Sequence, residues 1–441
     1  MPLVLDVLYL FALLALSPWL VWRAAATGRY RRDLASKLLG RVRVPNPHRK
    51  PVAWFHAVSV GEVNLLGTLV PAFRQRHPDW LVVISSTTDT GLAEARRRFP
   101  DLAVIGWPFD FSWAVAAALD AVKPGLVVLT ESEMWPNFLH AAKRRGVPVA
   151  VVNARMSPRS FRRLVRLGGT ARRLLFDPVA RFGVQEDEYA DRLRRLGVPA
   201  DRLTVTGSIK YDGALRTRDT DATARLRATL GLAVVPLGPS PLVLLAGSTH
   251  APEEAIILGV FARLRGRFPD LRLVLVPRHP DRFEEVARLV EQSGLTAARR
   301  SQITAPLAEA PAVVLLDTVG ELGAAWGLAD VGFTGGSLDG RRGGQSMIEP
   351  AGYGVPAVFG PHVWNFKDAA KRLVQVGGAV MVNDAAELEA ELARLLADAD
   401  LRARTGAAAR ELVRRQQGAT DRTLDLLDAL AAPPTFRRAA A

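Results

Sequence analysis

From Val52 onward the apolar positions fall into short unbroken runs, and between the runs they recur at a helical period. Runs with the length and composition of buried strands are Val52–His56, Leu81–Ser86, Leu102–Gly106, Leu126–Leu129, Val149–Val152, Ala180–Val184 and Leu203–Thr206. Stretches rich in Ala, Leu and Arg, such as Thr90–Arg98 and Glu188–Leu196, read as the intervening helices. This alternation predicts α/β architecture, a parallel sheet with helices on both faces. It lapses over Arg216–Ser240, which is charged first and then rich in Pro and Gly, and which reads as a linker holding one short helix. It resumes with Leu242–Ala246, Leu271–Pro277, Val313–Leu316, Val331–Thr334 and Val355–Phe359. The pattern therefore predicts two Rossmann-like domains, residues 23–215 and 241–430, facing across a cleft. Ala385–Leu430 is expected to be largely helical and to close the second domain, with a frayed tail over 431–441.

The N-terminus follows a different pattern. Leu3–Trp22 is almost continuously apolar, interrupted by Asp6 and Pro18. About 20 such residues suffice to cross a bilayer as a helix. Arg23, Arg29, Arg31, Arg32 and Lys37 follow, while the preceding side has almost no positive side chain. The positive-inside rule then leaves the bulk of the chain cytoplasmic. A signal peptide lacks its basic start here, and a helix lying in the interface is a further possibility. The expectation is a single membrane anchor over residues 1–22.

Composition narrows the classes. The 441 residues are 49% hydrophobic and 23% charged, enough for sizeable cores. No cysteine is present, so disulfides and thiolate chemistry are excluded. The formal net charge of +14 implies attraction to polyanions, whether nucleic acid, anionic lipid or a phosphorylated substrate. Aromatics are only 7% and no nucleic-acid-binding module is visible. The reading of a basic, membrane-tethered nucleic-acid-binding protein is therefore a minor alternative.

Candidate chemistry lies where predicted strands end, the usual place for ligands in open α/β sheets. After Val331–Thr334 come five glycines between Gly335 and Gly344, then Ser346-x-x-Glu349 at capping-box spacing. Such a loop delivering backbone N–H groups at a helix start is an anion site in expectation. The first strand runs into Ser59-Val60-Gly61-Glu62, and Glu62 suits either a helix start or proton transfer. Thr130-Glu131-Ser132-Glu133 and Asn153-Ala154-Arg155 close two further strands. In the second half, Gly247-Ser248-Thr249-His250, Pro277-Arg278 and Asp317–Leu322 do the same, and Arg278 is suited to bidentate phosphate binding. Two Asp-x-Asp pairs, at Asp219 and Asp221 and at Asp398 and Asp400, read as solvated charges, and no metal is expected. No Walker A, G-x-S-x-G or G-x-G-x-x-G stands in the required context.

The stretch from Val331 to Asp368 resembles the donor-site signature of the Kdo transferases of lipid A biosynthesis. The matching residues are Gly335-Gly336-Ser337-Leu338, Gly343-Gly344, Glu349-Pro350-Ala351, Gly360-Pro361-His362 and Asn365-Phe366-Lys367-Asp368. Glu131-x-Glu133-x-Trp135-Pro136-Asn137 and Asn153-Ala154-Arg155-x-Ser157 are similar to further family motifs. One departure is Gln345-Ser346-Met347-Ile348, where the family has His-Asn-Pro-Leu; backbone roles carry over there and side-chain roles do not. The resemblance implies a two-domain GT-B glycosyltransferase that moves Kdo from CMP-Kdo to lipid IVA with inversion and without metal or other cofactor. It implies Glu62 as general base. It implies CMP contacts from Pro277 and Arg278, from Val319, Gly320 and Glu321, and from Ser346, Met347, Ile348 and Glu349. It also implies an inner-membrane location with both domains cytoplasmic, and arginines near the anchor holding the acceptor's phosphates. Another sugar-nucleotide enzyme of the same fold, an N-acetylglucosaminyltransferase or a UDP-GlcNAc 2-epimerase, is the nearer alternative.

Overall fold

The computed structural model describes residues 2–27, 34–214, 217–232 and 241–431. The chain divides into two compact units, one made of Met1–Asp212 with Gln417–Ala441, the other of Gly213–Gln416.

The first unit is built on seven parallel strands: β1 Val52–His56, β2 Leu81–Ser86, β3 Ala103–Gly106, β4 Leu126–Thr130, β5 Val149–Ala154, β6 Arg181–Val184 and β7 Leu203–Val205. Their spatial order is β3-β2-β1-β4-β5-β6-β7. β1, β4 and β5 are buried along their whole length, as strands covered on both faces must be. Trp54, Phe138 and Phe182 fill one face of the sheet, and Phe55, Phe73 and Leu69 fill the other.

The second unit repeats the plan with β8 Val243–Thr249, β9 Arg272–Pro277, β10 Ala297–Arg299, β11 Val313–Leu315, β12 Val331–Thr334, β13 Ala357–Phe359 and β14 Ala379–Met381. The order is β10-β11-β9-β8-β12-β13-β14, again all parallel. Hydropathy did not predict β10 and β14. Both are three-residue edge strands, too short to show a period. In each sheet the direction of winding reverses beside the first strand, between β1 and β4 and between β8 and β12. A crevice opens at such a reversal, at the carboxyl ends of the strands.

Two expectations about the chain's course need correction. The short helix foreseen in the linker, Asp221–Thr229, packs into the second unit through buried Leu226, and Leu230 and Leu232 continue the contact. Residues 233–240 and 432–441, the Pro- and Gly-rich part of the linker and nearly all of the tail, lie outside the described residues. The helix Ala419–Ala431 does not close the second domain; it returns to the first. Asp212 receives it, accepting the Gly418 N–H at 2.7 Å and the Thr420 N–H and hydroxyl. Arg76 then pairs with Asp421, Asp425 and Asp428 along the same helix. Apolar spacing predicts that this segment is helical, but not which unit it covers.

The N-terminal segment is also corrected. It forms a helix, Pro2–Thr27, but no helix among the described residues is long and apolar enough to cross a membrane. Its first turns are instead bound to the first unit through Asp6. The Asp6 carboxylate is buried against the first unit and accepts the Ser112 N–H at 2.8 Å and the Asn137 side-chain N–H at 3.1 Å. One turn on, Tyr9 donates to Asp110 at 3.1 Å and packs edge-on against Phe111. One stripe of the helix is therefore bound to the domain, while Leu3, Val4, Leu8, Phe11 and Leu14 on the rest of its surface are exposed.

Asp110 fastens this helix and also accepts the N–H groups of Asn137 at 3.0 Å and Phe138 at 2.8 Å. Burial pushes its carboxyl up to about 6, against the pull of those bonds. The folded pKa lies above the ordinary 3.8, so the native state holds the extra proton between the two values. This contribution to stability is present below about pH 4 and is lost as pH rises towards about 6, on the order of 2–3 kcal/mol. Urea denaturation across that window should therefore show a smaller loss for Asp110→Asn than for the wild type. Equal slopes in the two proteins would remove Asp110 as the source.

Candidate active site

In the first unit the residues singled out from sequence meet at the reversal between β1 and β4. β1 ends at His56, and Val60–Arg76 forms the following helix, with Ser59 as its N-cap. Ser59 Oγ accepts the Glu62 N–H at 3.4 Å, and Glu62 reaches back to accept the Val58 N–H at 3.0 Å and the Ser59 hydroxyl at 3.1 Å. The arrangement differs from a capping box in that Glu62 binds the amide before the N-cap rather than the N-cap's own, and it fixes the Glu62 rotamer. Thr130, the last residue of β4, places its hydroxyl 2.7 Å from Glu62 Oε2 and 2.9 Å from the His56 carbonyl. A hydroxyl has one proton, so these two acceptors compete for it. The Glu62 carboxylate is thus oriented, partly exposed and without a cationic partner among the described residues.

Two further carboxylates come from the loop after β4. Glu131, with positive φ, is held by Arg155 at 2.9 Å and Lys210 at 3.5 Å. Burial raises the Glu133 carboxyl, and the nearby Glu62 charge raises it further. Beneath them His56 is buried, stacked on Trp107 and bonded to Ser85, and burial pushes its imidazole down to about 3. It stays neutral and serves as floor. Asn153 adopts left-handed backbone geometry, and its side-chain oxygen accepts the Ile209 N–H. This anchors the segment that carries Lys210.

In the second unit the glycine loop is placed as expected, but its N–H groups are engaged differently. Glu253 opens the helix Glu253–Arg265 after β8 and is fully buried. Its carboxylate accepts the N–H groups of His250, Gly336, Ser337 and Leu338, at 3.0, 2.7, 2.9 and 3.1 Å. The first amides of the loop are therefore satisfied from within the protein, and the anion site read from them is already filled by a side chain. Gly344 and Gln345 likewise donate to the carbonyls of Gly336 and Gly335.

The later signature residues brace this loop. Gly360 donates to Ser337 Oγ, the His362 N–H to the Ser337 carbonyl, and the Asn365 side chain to the carbonyls of Arg342 and Gly344. Gly343 and Gly344 have φ of +82° and +76°, and a Cβ on Gly343 would lie 2.3 Å from Trp364 Nε1. The capping box foreseen at Ser346 does not form. The helix runs from Ile348 to Gly352 behind Met347, with no side-chain cap, because the loop from Gly335 to Gln345 already holds the chain.

The remaining sequence-predicted residues sit at neighbouring strand ends. Pro277 closes β9 and is buried, and Arg278 follows it, exposed, with neither a side-chain hydrogen bond nor an ion pair among the described residues. Glu349 lies within reach of the Arg278 charge, which lowers its carboxyl while burial, the larger effect, raises it. Val319 is 81% exposed on the loop after β11, and Gly320 beside it has φ +96°. Glu321 is gripped by Arg300 at 3.0 Å and by the Thr318 hydroxyl. Sequence reasoning missed Glu253, Arg300 and Lys210, and it named Thr130 in a strand-end motif without its bond to Glu62, because hydrogen bonding and ion pairing across distant segments leave no local pattern.

Comparison with known proteins shows which family the chain resembles. Residues 33–213 match the family model described as 3-deoxy-D-manno-octulosonic-acid transferase (kdotransferase). The chain is 38% identical to the 3-deoxy-D-manno-octulosonic acid transferase of Bordetella pertussis, over 95% of this chain and 98% of that one. It is 34% identical to the enzyme of the same name from Haemophilus influenzae, over 90% and 91%. Among solved structures, the UDP-GlcNAc 2-epimerase of Neisseria meningitidis superposes with a TM-score of 0.56 at 12% identity, over 86% of this chain and 99% of that one, a likeness of fold alone.

The Glu253 hub generates a stability prediction. Glu253→Ala leaves three buried N–H groups and the partly buried Leu338 N–H without an acceptor, each buried one worth roughly 1–3 kcal/mol. Chemical denaturation should show a loss well above 3 kcal/mol, and Glu253→Gln, which keeps one acceptor oxygen, should lose less. A loss under about 1 kcal/mol for the alanine variant would mean the loop is held by other contacts.

Proposed function

Because this chain belongs to the 3-deoxy-D-manno-octulosonic acid (Kdo) transferases, glycosyltransferases of lipopolysaccharide biosynthesis, we propose that it moves Kdo from CMP-Kdo to lipid IVA, with Glu62 as general base. The observation that carries the catalytic part is the oriented carboxylate at the end of β1. Its capping bonds fix its direction, and a carboxylate held this way accepts the proton of an acceptor hydroxyl as the hydroxyl attacks. Attack on the face opposite the departing nucleotide inverts the anomeric centre. The family resemblance supplies the acceptor, the inversion and the absence of a metal from the reaction.

On the donor side, Arg278 has its guanidinium free for the phosphate, and the N–H groups of Ser346, Met347 and Ile348 have no backbone partner among the described residues. Fixed donors of this kind stabilise charge developing on the leaving CMP. Pro277, Val319 and Gly320 would shape the nucleotide's seat, with Glu349 behind Arg278. Glu321, oriented by Arg300 and Thr318, is suited to accept hydrogen bonds from ribose hydroxyls.

Attachment to the membrane is part of the same reading. The exposed Leu3, Val4, Leu8, Phe11 and Leu14 offer an apolar surface on a helix fastened to the acceptor unit by Asp6 and Tyr9. Such a helix lies in the interface, and burying half of those side chains contributes on the order of 5 kcal/mol. The site of action would be the cytoplasmic face of the inner membrane, where a lipid acceptor is presented. Arg29, Arg31 and Arg32, read as holders of the acceptor's phosphates, lie outside the described residues.

One observation favours a second reading of the base. The Glu133 carboxyl is raised towards working pH by burial and by Glu62. Incubation with CMP-Kdo and lipid IVA, followed by mass analysis of the lipid, should show added Kdo for the wild type. Glu62→Gln should lower turnover by about 10²–10⁴ with CMP affinity unchanged. Near-normal turnover of Glu62→Gln together with collapse of Glu133→Gln would move the role to Glu133. Donor competition should favour CMP over UDP, and preference for UDP would favour the sugar-nucleotide alternatives. Arg278→Ala should weaken CMP binding roughly ten- to a hundredfold by calorimetry.

The attachment is tested separately by flotation with anionic vesicles. The full chain should float, and a Phe11→Glu, Leu14→Glu double variant should remain largely unbound. Equal flotation of the two proteins would exclude this helix as the contact.

A further inference from the structure

The geometry points to a second anion subsite in the second unit, made by Arg342, Gln345 and His279 around the buried His250, which holds the carboxylate of the transferred sugar acid. The inference rests on the reading of the donor as CMP-Kdo. Chemistry makes the demand specific. In an octulosonic acid the carboxylate is bonded to the anomeric carbon, the carbon that also carries the nucleotide's phosphate. Two negative groups therefore sit on one atom, and a phosphate site alone leaves the second uncompensated. Enzymes of this fold that take a neutral sugar face no such demand.

The structure supplies the matching groups at three neighbouring strand ends. His250 follows β8, Arg278 and His279 follow β9, and Arg342 and Gln345 lie on the loop after β12. The His250 and His279 rings stand 5.1 Å apart, and Gln345 Nε2 is 3.4 Å from His250 Nε2. Gly336, with φ +68°, marks where the groups converge. A Cβ there would lie 3.2 Å from His250 Cδ2, 3.3 Å from Arg342 Cβ and 3.6 Å from Gln345 Cγ.

The positive charge of this cluster is not balanced by the protein. Arg282 is paired with Glu254 and Glu285, but the side chains of Arg278 and Arg342 make no hydrogen bond or ion pair among the described residues. Glu253, the neighbouring carboxylate, is committed to four backbone N–H groups. Burial and then the charges of His279, Arg342, Arg278 and Arg282 press the His250 imidazole down to about 4. A neutral histidine under unbalanced cations marks a field that an arriving anion would complete. The subsite also adjoins the phosphate contacts. Gln345 directly precedes Ser346, and Arg278, whose charge reaches His250, also acts on Glu349. An anion at Arg342 and Gln345 would thus lie next to a phosphate at Arg278.

The test compares two ligands that differ by the sugar acid. Arg342 is exposed and Gln345 half-buried, so Arg342→Ala and the Arg342→Ala, Gln345→Ala pair should fold, which thermal midpoints verify. For each variant, KM for CMP-Kdo and the inhibition constant for CMP are measured. Removing Arg342 should raise the donor KM roughly ten- to a hundredfold while leaving CMP inhibition unchanged. Arg342→Lys should restore part of the loss, because charge remains without the bidentate fork. Unchanged donor KM in the double variant overturns the subsite. So does an equal loss for CMP, which would make Arg342 a phosphate contact instead. Failure of the wild type to transfer Kdo would instead overturn the underlying function, and it would be seen before any variant is made.

Discussion

In a parallel sheet the loops at the carboxyl ends of the strands expose backbone N–H groups that no ladder partner can reach, and both units meet this constraint with one device. A glutamate in the first turn of the helix after the first strand turns back and accepts them. In the second unit Glu253 accepts four and is fully buried. In the first, Glu62 accepts only the Val58 N–H together with two hydroxyl contacts, and remains partly exposed. The difference is one of saturation. A carboxylate surrounded by four amides is structural, whereas one with a single amide and two hydroxyl contacts keeps free hydrogen-bond acceptor capacity.

Saturation of Glu253 explains how the glycine loop is used. Its glycines permit left-handed turns and close packing against Trp364, and its amides turn inward. The Gly-Pro-His and Asn-Phe-Lys-Asp segments, which look like ligand motifs in the sequence, brace that loop through Ser337 and Asn365. The side chain of Arg342 on this loop, and that of Arg278 after β9, make no hydrogen bond or ion pair among the described residues. Rigid scaffold and free functional groups thus come from one stretch of chain, which lets a fixed site act without reorganising.

The terminal helices follow a related logic. Each is fastened through a carboxylate rather than by apolar contact alone: the first through Asp6 and Asp110, the last through Asp212 and the Arg76 cluster. Directional bonds of this kind fix rotation about the helix axis. They decide that the first helix keeps its Asp6 stripe on the domain and leaves Leu8 and Phe11 exposed.

Much of the architecture was legible in the amino-acid order, because burial on both faces of a parallel sheet leaves continuous apolar runs such as Val52–His56 and Val331–Thr334. The same order located the candidate chemistry, since residues just past strand ends must gather at the edge of the sheet. Glu62, Arg278 and Glu321 could be named from that rule and from motif resemblance. Strands β10 and β14 could not, because three edge residues show no period. The destination of the last helix and the docking of the first depended on Asp212 and Asp6 meeting partners far along the chain. The filling of the loop amides depended on Glu253, more than eighty residues before the glycines it binds. Local sequence determines what a segment can form and which chemistry it carries. Hydrogen bonds and charges closed across distant segments decide which groups are used up in holding the fold and which remain free to act, and only the tertiary structure contains them.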